Sequence, residues 1–168
     1  QAISNQINQT QPSTQIPTEI IKESQEIPVL KKYVNDYANI LSASDETKID
    51  SLALQIEADT TVEIAILTVK TTQPMTIEEY AIKTFEKNGI GKKDKNNGLL
   101  IVAAIQDKKW RIEIGSGLES AINEAKTELI GNTYLTQAFM EERYGDGLYD
   151  AIEAIYDKVK PEAKLTKL

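Results

Sequence analysis

Asn96, Asn97, Arg111, Glu113 and Glu119 are the residues best placed to do chemistry, and all fall within the stretch Gly89–Glu119. With Asp36 and Glu124 they offer two kinds of site. Asp36, Asn96, Asn97, Glu119 and Glu124 carry hard oxygens, the donors that calcium or magnesium takes from carboxylates, amides and backbone carbonyls. All five sit in loops or at element starts, so they could converge on one end of a sheet. Each also has a plain structural use. Asp36 could cap a local turn, Asn97-Gly98 is ordinary turn chemistry, and acids near a helix start, as at Glu119 and Glu124, suit the helix dipole. Arg111 and Glu113 lie two apart on a strand and therefore share a face. They could form an ion pair over the sheet, or Arg111 could grip a phosphate. Gly115-Ser116-Gly117 could cradle a phosphate at a helix start. It lacks the length and the trailing Lys and Ser/Thr of a P-loop, so a close backbone turn is the simpler reading. No nucleophile stands beside an evident base, and the catalytic residues of any reaction are unassigned.

Two absences narrow the chemistry. The 168 residues contain no His and no Cys. Ser-His-Asp and Cys-His catalysis, thiol chemistry, disulfides, and His- or Cys-ligated zinc or haem are excluded. The net charge is −7, which argues against a nucleic-acid partner, because phosphate contacts need clustered Lys and Arg. Between Glu113 and Glu153 nine acids face only Lys126 and Arg143. Basic residues gather at Lys87, Lys92, Lys93 and Lys95 and in the tail. No apolar run approaches the roughly 20 residues of a membrane span.

The elements that must position these residues follow from periodicity. Residues 1–27 are rich in Gln, Asn, Thr, Ser and Pro and read as a flexible linker, with a sequon at Asn8-Gln9-Thr10. A single domain spans 28–160, and 161–168 form a charged tail. Val34–Ala38 reads as an extended or looped lead-in. Ser42-Ala43-Ser44-Asp45 opens a first helix over about 44–58. Val62–Val69 is apolar on both faces, as a buried parallel strand should be. A helix from Thr76 to Asn88 closes at Gly89. The strand Leu99–Ile105 follows, which makes a right-handed crossover the expectation. A tight turn at Asp107-Lys108-Lys109 leads to Trp110–Ile114, antiparallel and apolar on one face. Helical sequence runs from Leu118 to Gly131, with Leu129 on its buried side, and from Gly145 to Val159. Tyr134, Phe139 and Tyr144 read as core aromatics. The fold class is α/β, a three-layer α/β/α sandwich around a small mixed sheet.

Taken in order, Val34-Asn35-Asp36-Tyr37-Ala38 with Leu41-Ser42, Glu63–Val69, Gly89-Ile90-Gly91-Lys92, Asn96-Asn97-Gly98-Leu99-Leu100, Arg111–Gly115, Gly117-Leu118-Glu119, and then Phe139, Tyr144, Gly147 and Leu148 resemble the TPM domain family. That family takes its name from a thylakoid lumen protein, a photosystem II repair protein and a receptor modulator. The resemblance implies an exported module, tethered to a membrane by a flanking segment, that binds Ca2+ or another divalent ion. It implies a partner in a membrane protein complex, which the module helps to assemble, maintain or regulate. It also implies an alternative, weak metal-dependent acid phosphatase activity on phosphomonoesters. Members often carry Asp shortly after the GLE motif, where this chain has Asn123-Glu124.

Overall fold

The computed structural model describes residues 26–160. The tail expected from the sequence and residues 1–25 of the linker, with the sequon at Asn8, lie outside them. Ile27, expected in the linker, packs against the core, and its carbonyl accepts the Lys87 ammonium at 2.6 Å.

Four strands form one sheet in the order β1-β2-β3-β4. They are β1 (Val34–Asp36), β2 (Glu63–Val69), β3 (Gly98–Ala104) and β4 (Lys109–Ile114). The first three are parallel, and β4 returns antiparallel to β3. The stretch Val34–Asp36, expected only as a lead-in, is a true edge strand, with Val34 paired to Ile66 and Asp36 to Thr68. Its brevity hid it, since three residues carry no readable alternation.

The run of apolar residues in β2 and β3 is buried from both sides, and the parity of the strand divides it into two cores. Ile64, Ile66, Leu99 and Ile101 point to one face. They pack there against α1 (Ala43–Thr60) and α5 (Tyr144–Val159). Ala65, Leu67, Leu100 and Val102 point to the other face, under α2 (Ile77–Asn88). Both α1 and α2 start as the sequence says. Ser42 and Asp45 form a reciprocal capping box for α1, Thr76 caps α2, and Gly89 ends α2 in the left-handed conformation.

The crossovers do not both follow the expected hand. The steps β1 to β2 and β2 to β3 move the same way across the sheet, yet α1 and α2 cover opposite faces. Two crossovers with that geometry have opposite hands, so one of them breaks the right-handed rule. Residue periodicity says which side of a helix is apolar, not which face of the sheet it will cover.

The segment after β4 also differs. A 3-10 turn over Ser116–Leu118 comes first, and α3 begins only at Glu124, capped by Asn123. Gly131 does not end it. The chain stays helical through a π-helical segment, Gly131–Thr136, into α4 (Gln137–Met140). A methyl group on Gly131 would sit 2.1 Å from the Trp110 ring, so glycine is there to admit the indole. Leu129, expected inside, is 66% exposed, and Tyr134 is 37% exposed. Tyr134 lies in the π segment, whose wider turn rotates it away from the face that a 3.6-residue period predicts. Leu129 precedes that segment, and the buried side of α3 is the one that carries Thr127 and Ile130. Phe139 and Tyr144 are half-buried and meet edge to face at 5.3 Å.

Candidate functional site

The polar motif residues do not assemble at one place. Asp36 lies opposite Thr68, near the C-terminal end of the parallel strands. Asn97 immediately precedes Gly98, which lies opposite Glu63 at their N-terminal end. Five residues of strand separate the two levels, roughly 16 Å. Asn96, Asn97 and Glu119 share the N-terminal end, where the Gly117 N–H donates to the Asn96 carbonyl at 2.9 Å. Glu124 stands apart at the start of α3 and pairs with Arg111 at 3.2 Å. The convergence expected of the five oxygen donors is therefore corrected: strand direction sends Asp36 to the opposite end.

Asp36 is occupied by its own loop. Its carboxylate accepts the Ile40 and Leu41 N–H groups, each at 2.9 Å on Oδ2, and the Thr68 hydroxyl. The same Thr68 oxygen accepts the Ala38 N–H at 3.1 Å. This set fixes the turn from β1 into α1. Asn97 is buried and used at both ends of its amide. Its Oδ1 accepts the Lys92 N–H at 3.0 Å, and its Nδ2 donates to the Thr61 carbonyl at 2.8 Å. Calcium takes six to eight oxygens, and most of the lone pairs of Asp36 are already committed to donors. Among the described residues, no group of three or more acidic side chains is arranged to hold a metal ion. The five residues do not fit a single ion.

The glycine motif is likewise a packing device. Methyl groups on Gly98, Gly115 and Gly117 would fall 2.1 Å from the Ile90 oxygen, 2.1 Å from the Asn96 oxygen and 1.8 Å from the Lys95 oxygen. The loop Gly89–Asn97 thus lies against the β3 start and the Gly115–Gly117 turn, backbone on backbone. The space that a phosphate would occupy in a cradling turn is filled by carbonyls.

Lys92 clamps the same loop. Its ammonium pairs with Glu57 at 2.6 Å, and Glu57 also accepts the Tyr33 hydroxyl at 2.7 Å. The hydrogen bond to Glu57, with burial second, pushes the Tyr33 pKa up to about 12. The Lys92 bond holds the Glu57 carboxyl below its usual range, with Tyr33 adding to it. Because the folded phenol titrates higher than the unfolded one, its contribution to stability is complete below about pH 10. It is lost as pH rises towards 12. Glu57→Gln is expected to return the Tyr33 transition towards 10, as read by ultraviolet absorbance; an unmoved transition would show that burial dominates.

Arg111 and Glu113 do share the α2 face, as expected, and bond at 3.3 Å. Burial works against the Arg111 charge, but Glu124 and Glu113 outweigh it and hold the group protonated. The ion pair is therefore structural as well as a link to α3.

Sequence reasoning missed two polar clusters, both at the C-terminal end of the parallel strands. Asp107, read only as part of a turn, accepts the Thr71 hydroxyl and the Thr72 N–H, both at 2.8 Å. It thereby ties the loop after β2 to the hairpin. A cleft of about 510 Å³ opens between the first turns of α1 and α5, lined by Asp45, Lys48, Arg143, Asp146 and Asp150. Arg143 is held by Glu141 at 2.7 Å and Asp146 at 3.3 Å. The glycines flanking Asp146 were the available signal, for a methyl on Gly145 would strike the Asp45 carboxylate at 2.4 Å. A third feature is an apolar groove of about 520 Å³ where the β3–β4 hairpin meets α4, lined by Trp110, Phe139, Met140 and Tyr144. Met140 is 81% exposed there.

With this geometry in place, the family model of the TPM domain matches residues 34–158. The chain belongs to the TPM domain family. The match runs from the first residue of β1 almost to the end of α5, so it covers all the elements described above. Three solution NMR structures are similar to this TPM domain. The N-terminal domain of a protein from P. gingivalis is 26% identical, with a TM-score of 0.70, over 75% of this chain and 80% of that one. The N-terminal domain of the cg2496 protein from Corynebacterium glutamicum is 17% identical, with a TM-score of 0.64, over 86% and 90%. The BA42 protein from the psychrophilic bacterium Bizionia argentinensis is 23% identical, with a TM-score of 0.63, over 74% and 86%. The latter two likenesses speak to the fold alone. No curated protein matches the chain.

Proposed function

We propose that this TPM domain is an exported binding module, held near a membrane by sequence flanking the domain. It acts by docking on a protein, in the assembly, maintenance or regulation of a membrane complex. The observation that supports this is the internal use of the motif residues. Asp36, Asn97, Gly98, Gly115 and Gly117 hold the loops to the sheet, and so the motifs build a rigid platform. What the platform leaves to solvent is surface, most clearly the groove at Met140. A large apolar side chain left exposed beside aromatics is typical of a contact region. Export and tethering rest on the family and on the composition of residues 1–27. No helix among the described residues is long and apolar enough to cross a membrane.

The rival reading, metal-dependent hydrolysis of phosphomonoesters, needs Arg111 to meet phosphate and Asp36 to hold an ion. Arg111 lies on β4 with both neighbouring glutamates bound to it, and Asp36 is on the far edge strand. A photo-reactive residue in place of Met140 should give a discrete adduct in membranes of the source cells, and one in place of Ile82 on α2 should not. Equal labelling at the two positions would refute the docking reading. Phosphomonoester turnover that purifies with the protein and falls in Arg111→Ala would establish the hydrolase instead.

Calcium enters as a separate test. A titration followed residue by residue is expected to leave the Asp36, Ile40 and Leu41 amide signals in place. Matched shifts at Asp36 and Asn97 would restore a shared ion.

A further inference from the structure

Among the described residues, no strand pairs with the outer edge of β4. The Gly115 N–H donates to the Gly98 carbonyl at 2.8 Å. Hydrogen-bonded and non-bonded pairs alternate along an antiparallel ladder. Glu113 and Arg111 therefore turn their backbone groups to Leu100 and Val102, their partners in register. The N–H and C=O groups of Trp110, Ile112 and Ile114 must point the other way. No backbone or side-chain partner meets them among the described residues. Backbone groups away from bulk water are nearly always paired. Ile112 is only 3% exposed, so its unpaired groups face a confined space.

That space is a slot of about 270 Å³ between the first turn of α2 and α3, which Glu78, Glu124 and Glu128 line. Its sole cation is Arg111. The Arg111 side chain starts on the α2 face and reaches across the edge to Glu124 on α3. Side-chain exposure at that contact is 28% for Arg111 and 76% for Glu124. A pair so exposed contributes little and opens easily.

We propose that this edge takes an extended peptide strand carrying Lys or Arg. Its backbone would pair with Trp110, Ile112 and Ile114, and its cations would lie against Glu78, Glu124 and Glu128. Adding a strand to a free edge is an established mode of peptide recognition, in which main-chain bonds give affinity and flanking side chains give selectivity. The charge of the slot selects the occupant, because three carboxylates and one arginine favour a basic segment over a neutral or acidic one. Arg111 acts as the strap. At rest it covers the edge, which would otherwise invite unwanted pairing, and an incoming cation takes its place on Glu124. This assignment deepens the docking reading by naming the chemistry of a partner, and it rests on a surface separate from the Met140 groove.

The probe is an acetylated and amidated peptide of alternating Lys and Val. In the free protein, the Trp110, Ile112 and Ile114 amides should exchange with solvent at least about tenfold faster than those of Arg111 and Glu113. Addition of the peptide should slow all three, read by NMR hydrogen exchange. Alternate backbone N-methylation of the probe, or replacement of its Lys by Glu, should abolish the effect. Arg111→Gln should tighten binding. Glu128→Lys, an exposed change that leaves the core alone, should weaken it by about tenfold. The proposal is overturned if the N-methylated probe binds equally well, if the probe shifts only the acidic surface of α5, if no binding is seen, or if the three amides are already protected. Protection that appears with protein concentration alone would overturn it too, by giving the edge to a second copy of the chain.

Discussion

Gly98→Ala is expected to lower the stability of the domain by about 3 kcal/mol, near the upper end of the cost of forcing extra carbon into a packed site. The new methyl would lie 2.1 Å from the Ile90 oxygen and 2.8 Å from the Gly91 nitrogen, and both contacts are backbone. Neither can turn aside as a side chain would, so the whole Gly89–Asn97 loop must lift. Gly91 already holds a φ of 98°, a conformation that only glycine takes freely. The loop is thus at its limit before the substitution. Lifting it also strains the Asn97 bonds and the Lys92–Glu57 contact. Gly115→Ala presses the same loop from its other end, at the Asn96 oxygen. The double substitution should therefore cost less than the sum of the two, because one displacement relieves both. Urea unfolding of the three variants measures this. Strictly additive losses would show that the two glycines act through separate parts of the structure.

Asp36→Ala is expected to cost about 3 kcal/mol as well, by a different route. Hydrogen bonds to a charged group are worth about 1.5–3 kcal/mol each, and losing the acceptor leaves the donors unpaired. The Ile40 and Leu41 N–H groups and the Thr68 hydroxyl would all be stranded. For a domain of this size that loss lowers the melting temperature by roughly 10 °C. Asp36→Asn keeps an oxygen acceptor and should fall between. Equal melting of wild type and Asp36→Ala would return Asp36 to the list of residues kept for binding. Any loss of function in Asp36→Ala has to be read against its stability, since the residue holds the entry to α1.

Most of the architecture was visible in the residues. The β-branched run of β2, the apolar run of β3, the capping box at Ser42, the cap at Thr76 and the stop at Gly89 are local signals. Local signals survive because a cap or a strand period depends on neighbours in the chain. The region after β4 was less legible. Its helix starts later, passes through a π segment, and exposes Leu129 and Tyr134. There the indole of Trp110, distant in sequence, decides the path by lying on Gly131.

The candidate site shows the same division more sharply. Residue types alone picked out Asp36, Asn96, Asn97, Glu119 and Glu124 as oxygen donors and Arg111 with Glu113 as neighbours on one face. The neighbour relation held, because two residues on one strand are bound by its period of two. The grouping of the five donors did not, because it depended on which end of the sheet each loop occupies. Composition and order determined that this is an α/β TPM domain without histidine or cysteine chemistry. Only the tertiary structure decided that Asp36 and Asn97 stand at opposite ends, that the two crossovers differ in hand, and that no strand pairs with the outer edge of β4 among the described residues. The reason is physical. A sequence specifies contacts between near neighbours through backbone geometry, whereas contacts between distant segments are chosen by how whole faces pack.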